Sequence, residues 1–122
     1  MKTEDIKTMI EDYENLPLEC DGMTRVIHYL LKQNKVKHQV YYGRVVYKDK
    51  SFYPHYWIEL PDKTMIDYKA KMWLGEGAAN GIFKLKDEPE MKYGGTKVFL
   101  DVNDVTFLIL TGGIWWTFWI LV

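Results

Sequence analysis

Pro54-His55-Tyr56-Trp57-Ile58-Glu59-Leu60-Pro61-Asp62-Lys63-Thr64-Met65-Ile66-Asp67-Tyr68 is the stretch that decides how this chain folds. His55, Trp57 and Glu59 alternate with Tyr56, Ile58 and Leu60, the period of two that gives a strand one inner and one outer face. Pro61-Asp62-Lys63 carries turn chemistry, and Thr64 to Tyr68 returns as a second strand of β-compatible residues. Pairing around that turn sets Leu60 near Thr64 and Ile58 near Ile66, which brings His55 and Asp67 towards one end of a β-hairpin. An imidazole held by a carboxylate is two parts of a catalytic triad. The missing part is a nucleophile, and the chain offers its only cysteine, Cys20.

Working outward, 122 residues suffice for one domain with a real core and are too few for two. A hydrophobic content of 48% and an aromatic content of 16% argue against disorder. A formal net charge of −1 argues against a nucleic-acid binder, which needs a basic face to neutralise phosphates. A lone cysteine excludes an internal disulfide and suits a reducing compartment or a reactive thiol. No apolar run follows Met1-Lys2-Thr3-Glu4-Asp5, so no secretory signal is expected and the protein reads as cytoplasmic.

Upstream of the hairpin, Thr3 to Glu14 predicts a short amphipathic helix, capped by Thr3 or Asp5, with Ile6, Met9, Ile10 and Tyr13 on one face. Asn15-Leu16-Pro17 ends it, because the residue before proline is pushed out of the α region. A second helix is expected from about Asp21 to Asn34, with Met23, Val26, Ile27, Leu30 and Leu31 as its apolar stripe. Cys20 then stands at the helix N-terminus, where unpaired N–H groups and the positive dipole end favour a thiolate and can cradle an oxyanion. Glu19 and Asp21 flank the thiol and oppose that effect, so the assignment needs an imidazolium beside the sulfur, which His55 supplies.

Lys37 to Lys48 reads as a strand with a bulge or kink at Gly43, and Asp49-Lys50-Ser51 as the turn that follows. After the hairpin, Lys69 to Tyr93 is expected to be a loop-rich excursion that can wall a cleft, and Trp73 lies in it. Lys97 to Val102 and Val105 to Leu110 read as further strands joined at Asn103-Asp104. Residues 1–113 thus form the expected domain, and 114–122 an apolar tail. No charged residue occurs from Val105 to Val122, a length at the lower limit for a membrane span. Gly112-Gly113 and the absence of a following Lys or Arg favour a buried terminal strand instead; a non-domain extension and a membrane tether are the other readings.

Leu18-Glu19-Cys20 opening a helix, then His55-Tyr56-Trp57-Ile58-Glu59-Leu60, then Met65-Ile66-Asp67, resembles the transglutaminase-like branch of the papain-like cysteine enzymes, in particular its small phage and bacterial members. The match covers about Leu16 to Trp73. The resemblance implies Cys20 as nucleophile, His55 as general base and acid, and Asp67 as the group orienting the imidazole. It also implies an oxyanion donor upstream of the cysteine, for which Tyr13 and Asn15 are the candidates. Trp57 and Trp73 suit core packing, although a tryptophan beside a catalytic strand can line the cleft. His28 and His38 read as surface residues. Cys20, His28, His38 and His55 are zinc-compatible by ligand type, but no short-spaced ligand pair occurs, so neither metal nor organic cofactor is expected.

These readings lead to an α+β domain with two N-terminal helices packed on an antiparallel sheet of about five strands. Its expected activity is cysteine-dependent acyl transfer on an amide or isopeptide bond of a protein or peptide substrate, by hydrolysis, deamidation or transamidation through one thioester. The rival class is a catalytically silent binding protein on the same fold, such as a phage factor acting on a host partner, with the aromatic excursion after Asp67 as its working surface.

Overall fold

The computed structural model describes residues 2–112, so the expectations for the tail 114–122 lie outside the described residues. The fold is α+β. Helices α1 (Thr3–Glu11) and α2 (Cys20–Gln33) precede strands β1 (Gln39–Tyr47), β2 (Lys50–Glu59) and β3 (Thr64–Asp67). A short helix α3 (Ala70–Leu74), strand β4 (Gly81–Lys84), a 3-10 turn at Leu85–Asp87, strand β5 (Met91–Val98) and helix α4 (Asp104–Thr111) follow. The five strands form one sheet in the order β4-β3-β2-β1-β5, and each neighbouring pair is antiparallel.

Strand alternation splits the core between the two faces of the sheet. Ile58 and Ile66 pair across β2 and β3 and, with Val40 and Leu60, meet Ile6 and Ile10 of α1 and Met23, Ile27 and Leu31 of α2. Each of these side chains is worth roughly 1.5–3 kcal/mol when fully buried, so this face carries most of the apolar stabilisation. On the other face Ala70 and Leu74 of α3, with Ala78 and Ala79, pack on Val45 and Met91. His55 and Trp57 are two apart on β2, out of phase with Ile58, and share that second face with α3. His55 therefore lies on the less extensively packed side.

Several local expectations are corrected. Lys2, not Thr3 or Asp5, is the cap of α1; the Asp5 carboxylate accepts the Lys2 N–H at 3.0 Å from inside the first turn. The β1–β2 turn is Lys48-Asp49, with Tyr47 paired to Lys50, so Lys50 and Ser51 already belong to β2. The excursion after Asp67 is more ordered than its composition suggested, since it contains α3, β4 and the start of β5. Val105 to Leu110 is helical rather than extended. Asn103 decides this, because its side chain accepts the Thr106 N–H at 2.8 Å and caps α4. Packing adds to it: Phe107 stacks on Tyr29 at 4.2 Å and meets Tyr13 edge-on at 5.7 Å. Among the described residues no helix is long and apolar enough to cross a membrane.

The expected irregularity at Gly43 is present, as the β1–β2 register shifts between Gly43 and Val45. Gly43 stands opposite His55 on one side and Gly95 on the other. A Cβ there would collide with the Gly94 carbonyl oxygen and the Gly95 Cα, which are backbone atoms and cannot swing away. Gly43→Ala is therefore expected to cost about 1–3 kcal/mol, the overpacking range, read as a lower urea midpoint at unchanged slope.

Candidate active site

The site is built from the hairpin turn upward. The Leu60 N–H donates to the Thr64 carbonyl at 2.8 Å, and the Lys63 N–H donates back to Leu60 at 3.0 Å. The Asp62 side chain accepts the Thr64 N–H at 3.1 Å, and Lys63 takes a left-handed φ of 72°, completing a three-residue turn. This turn fixes the register Ile58 to Ile66, and with it the approach of His55 to Asp67. The His55 Nε2 lies 2.7 Å from Asp67 Oδ2, and both residues are buried.

Asp67 ends β3 and is held from every side by donors. Its Oδ1 accepts the N–H groups of Lys69 at 3.2 Å and Ala70 at 3.1 Å, so the carboxylate also anchors the entry to α3. Its Oδ2 accepts the Tyr93 hydroxyl at 2.8 Å besides the imidazole. Burial and the facing Asp67 charge push the Tyr93 phenol far up, so it stays a neutral donor. Such a carboxylate has no freedom to rotate, which is what an orienting group requires.

Burial is the largest influence on the His55 ring and acts against its charge. The hydrogen bond to Asp67, the nearness of Cys20 and the charges of the same two groups outweigh it, and the ring is raised from 6.5 to about 9. That direction favours the imidazolium form at neutral pH. Asp67 occupies Nε2, so the nitrogen left for the sulfur is Nδ1. The ring is thus turned end for end relative to the Ser-His-Asp template, in which Nδ1 faces the acid. His55 Nδ1 is buried and has no hydrogen-bond partner among the described residues, so Cys20 acts on the ring as a neighbouring group and not through a formed S···Nδ1 hydrogen bond.

Cys20 is the first residue of α2. The Met23 N–H donates to Glu19 at 2.9 Å, so the N–H groups of Cys20, Asp21 and Gly22 precede the first helical bond and have no partner within the helix. Cys20 retains 7% of its surface and His55 none.

No protein-family model, curated protein or solved structure matches this chain.

The structure pairs His55 with Asp67 and places Cys20 near enough to influence the ring without a hydrogen bond to it, and it separates other residues singled out in the sequence. Tyr13 packs on Phe107, and Asn15 is exposed in the turn between α1 and α2. Trp57 is buried beside the imidazole, with ring centroids 6.0 Å apart, and touches Tyr41 and Tyr93. Trp73 is 41% exposed and stacks at 4.3 Å on Phe52, which itself borders His55. Tyr93 is the residue that sequence reasoning missed. Its only signal was an aromatic residue in β5, and nothing local ties that strand to a carboxylate 26 positions away.

His28 and His38 are half-buried and paired with each other, which the sequence did not indicate. His28 Nδ1 and His38 Nε2 lie 2.7 Å apart, and burial followed by the neighbouring His38 lowers the His28 pKa. Among the described residues no group of three or more His, Cys, Asp or Glu side chains is placed to hold a metal ion.

Proposed function

We propose that this protein is a cysteine-dependent acyl-transfer enzyme of transglutaminase-like type, acting on amide or isopeptide bonds. The observation that carries the reading is the buried 2.7 Å contact of His55 with Asp67, which leaves Nδ1 buried and unpartnered among the described residues; the sole cysteine at a helix N-terminus supports it. In the reacting form a Cys20 thiolate faces the His55 imidazolium. Sulfur attacks the carbonyl carbon, and the oxyanion is met by the free N–H groups that open α2. The C–N bond then breaks, the imidazolium gives its Nδ1 proton to the leaving amine, and a Cys20 thioester remains. Neutral His55 takes a proton from water or an acceptor amine as it attacks the thioester, which restores the thiolate and the imidazolium. Asp67 holds the ring in register throughout, and Tyr93 holds Asp67.

The reading is tested by hydrolysis of a panel of peptide amides and activated esters. Activity is expected in the intact protein and absent in Cys20→Ala. Because His55 must be protonated to serve the leaving amine and its ring titrates at about 9, amide turnover is expected to fall on the alkaline side with an apparent pKa near 9. A limb near the ordinary histidine value of 6.5 would contradict the assignment.

The second reading, a silent binding protein on this fold, draws on the burial of Cys20 and His55 and on the exposure of Met72 at 51% and Trp73 at 41% beyond Asp67. Under it the histidine–carboxylate–tyrosine contacts serve only packing, and no substrate is turned over.

A further inference from the structure

Moving two residues along each strand from the site towards the hairpin turn replaces His55 by Trp57 and Asp67 by Met65 on the same face of the sheet. A cavity of about 190 Å³ opens there. Tyr41, Trp57 and Tyr93 are among the residues that line it, together with Glu59 and Lys63. Tyr93 is common to both places, since its hydroxyl holds Asp67 while its residue lines the cavity. The cavity and the His55–Asp67 pair are neighbours on one face.

We propose that this cavity receives a cationic side chain, lysine or arginine, of the peptide substrate. The word substrate rests on the acyl-transfer reading; the pocket itself does not. Aromatic faces carry negative quadrupole potential and attract an ammonium or guanidinium, while the apolar stem of such a side chain packs on the rings. Trp57 is buried, packed against Tyr41 at 5.9 Å and Tyr93 at 4.9 Å, so the half-buried Tyr41 and Tyr93 are the rings that can meet an incoming cation, with Trp57 behind them. Glu59 supplies the countercharge. Its side chain is 21% exposed, and its carboxylate already engages a cation, the Lys63 ammonium, at 3.6 Å. That partner is 85% exposed and the contact is long, so an incoming cation displaces it at little cost. Lys63 is in this sense a stand-in for the ligand.

The test is binding to the full-length Cys20→Ala protein, where turnover plays no part, with a repeat on the wild type. Nα-acetyl-lysine amide and its uncharged counterpart Nα-acetyl-norleucine amide are titrated, and the Trp57 indole resonance reports occupancy. The lysine probe is expected to shift that resonance and to bind about tenfold tighter than norleucine. Glu59→Gln should remove the preference, and Lys63→Ala should tighten the lysine probe. Equal or tighter binding of norleucine overturns the proposal, and so does a Trp57 resonance unmoved by either probe. Lysine binding together with an inert Cys20 leaves the pocket standing and removes the chemistry, so the two failures are distinct.

Discussion

Asp67→Ala is expected to lose about 3–5 kcal/mol of folding stability at mildly acidic pH, because it strands a buried charge. The substitution removes the acceptor of His55, of the Tyr93 hydroxyl and of the N–H groups of Lys69 and Ala70 together. A small domain holds about 5–15 kcal/mol in total, so a large share of the native state is at stake. The pH dependence identifies the cause. The folded-state value for His55, about 9, is raised above the ordinary 6.5, so the stability from the charged ring is fully present below 6.5 and is lost as pH rises through 9. The deficit of the variant, measured by urea unfolding, should therefore shrink across that window. The hydrogen bonds that Asp67 accepts from the neutral donors Tyr93, Lys69 N–H and Ala70 N–H leave a smaller remainder independent of the His55 titration. A loss under about 1 kcal/mol at pH 6 would mean that Asp67 is not holding a buried imidazolium.

His55→Ala is expected to lower amide turnover by about 10²–10⁴-fold, the range for removing a general acid–base group. The ring does two things in the proposed cycle, and they are separable by leaving group. An amine must be protonated to depart, whereas an activated phenol departs as its anion. Amide turnover should thus fall further than activated-ester turnover in the same variant. The loss should appear in kcat more than in KM, since the ring engages groups that develop charge in the transition state. Equal losses on both substrates would assign His55 a role in forming the thiolate only. Unchanged turnover would remove it from the mechanism.

The parts of the molecule that were legible in advance are those set by local pattern. The Pro61-Asp62-Lys63 turn places Leu60 opposite Thr64 and Ile58 opposite Ile66, and period-two alternation then carries His55 and Asp67 to the same face. The stripe of α2 was equally clear, because Met23, Ile27 and Leu31 recur at helical spacing and all join one core. Val105 to Leu110 misled because β-branched and aromatic residues read as strand, while the Asn103 cap and the contacts of Phe107 with Tyr13 and Tyr29 select a helix. His28 and His38 misled for another reason. Their pairing joins a helix to the segment before β1, and no sequence spacing records it. Tyr93 belongs to the same class, as a β5 side chain reaching a carboxylate at the end of β3. Long-range polar contacts are where the sequence is silent.

The proposed chemistry requires the sulfur of Cys20 to answer to the ring of His55, and alkylation of the thiol measures this most directly. Iodoacetamide is applied to the folded protein, to His55→Ala and to free cysteine at one neutral pH, and the adduct is located by peptide mass. The expected result is stoichiometric labelling of Cys20, faster than free cysteine in the intact protein, with the advantage lost in His55→Ala. Labelling no faster than free cysteine, or a rate that His55→Ala leaves unchanged, would contradict the account.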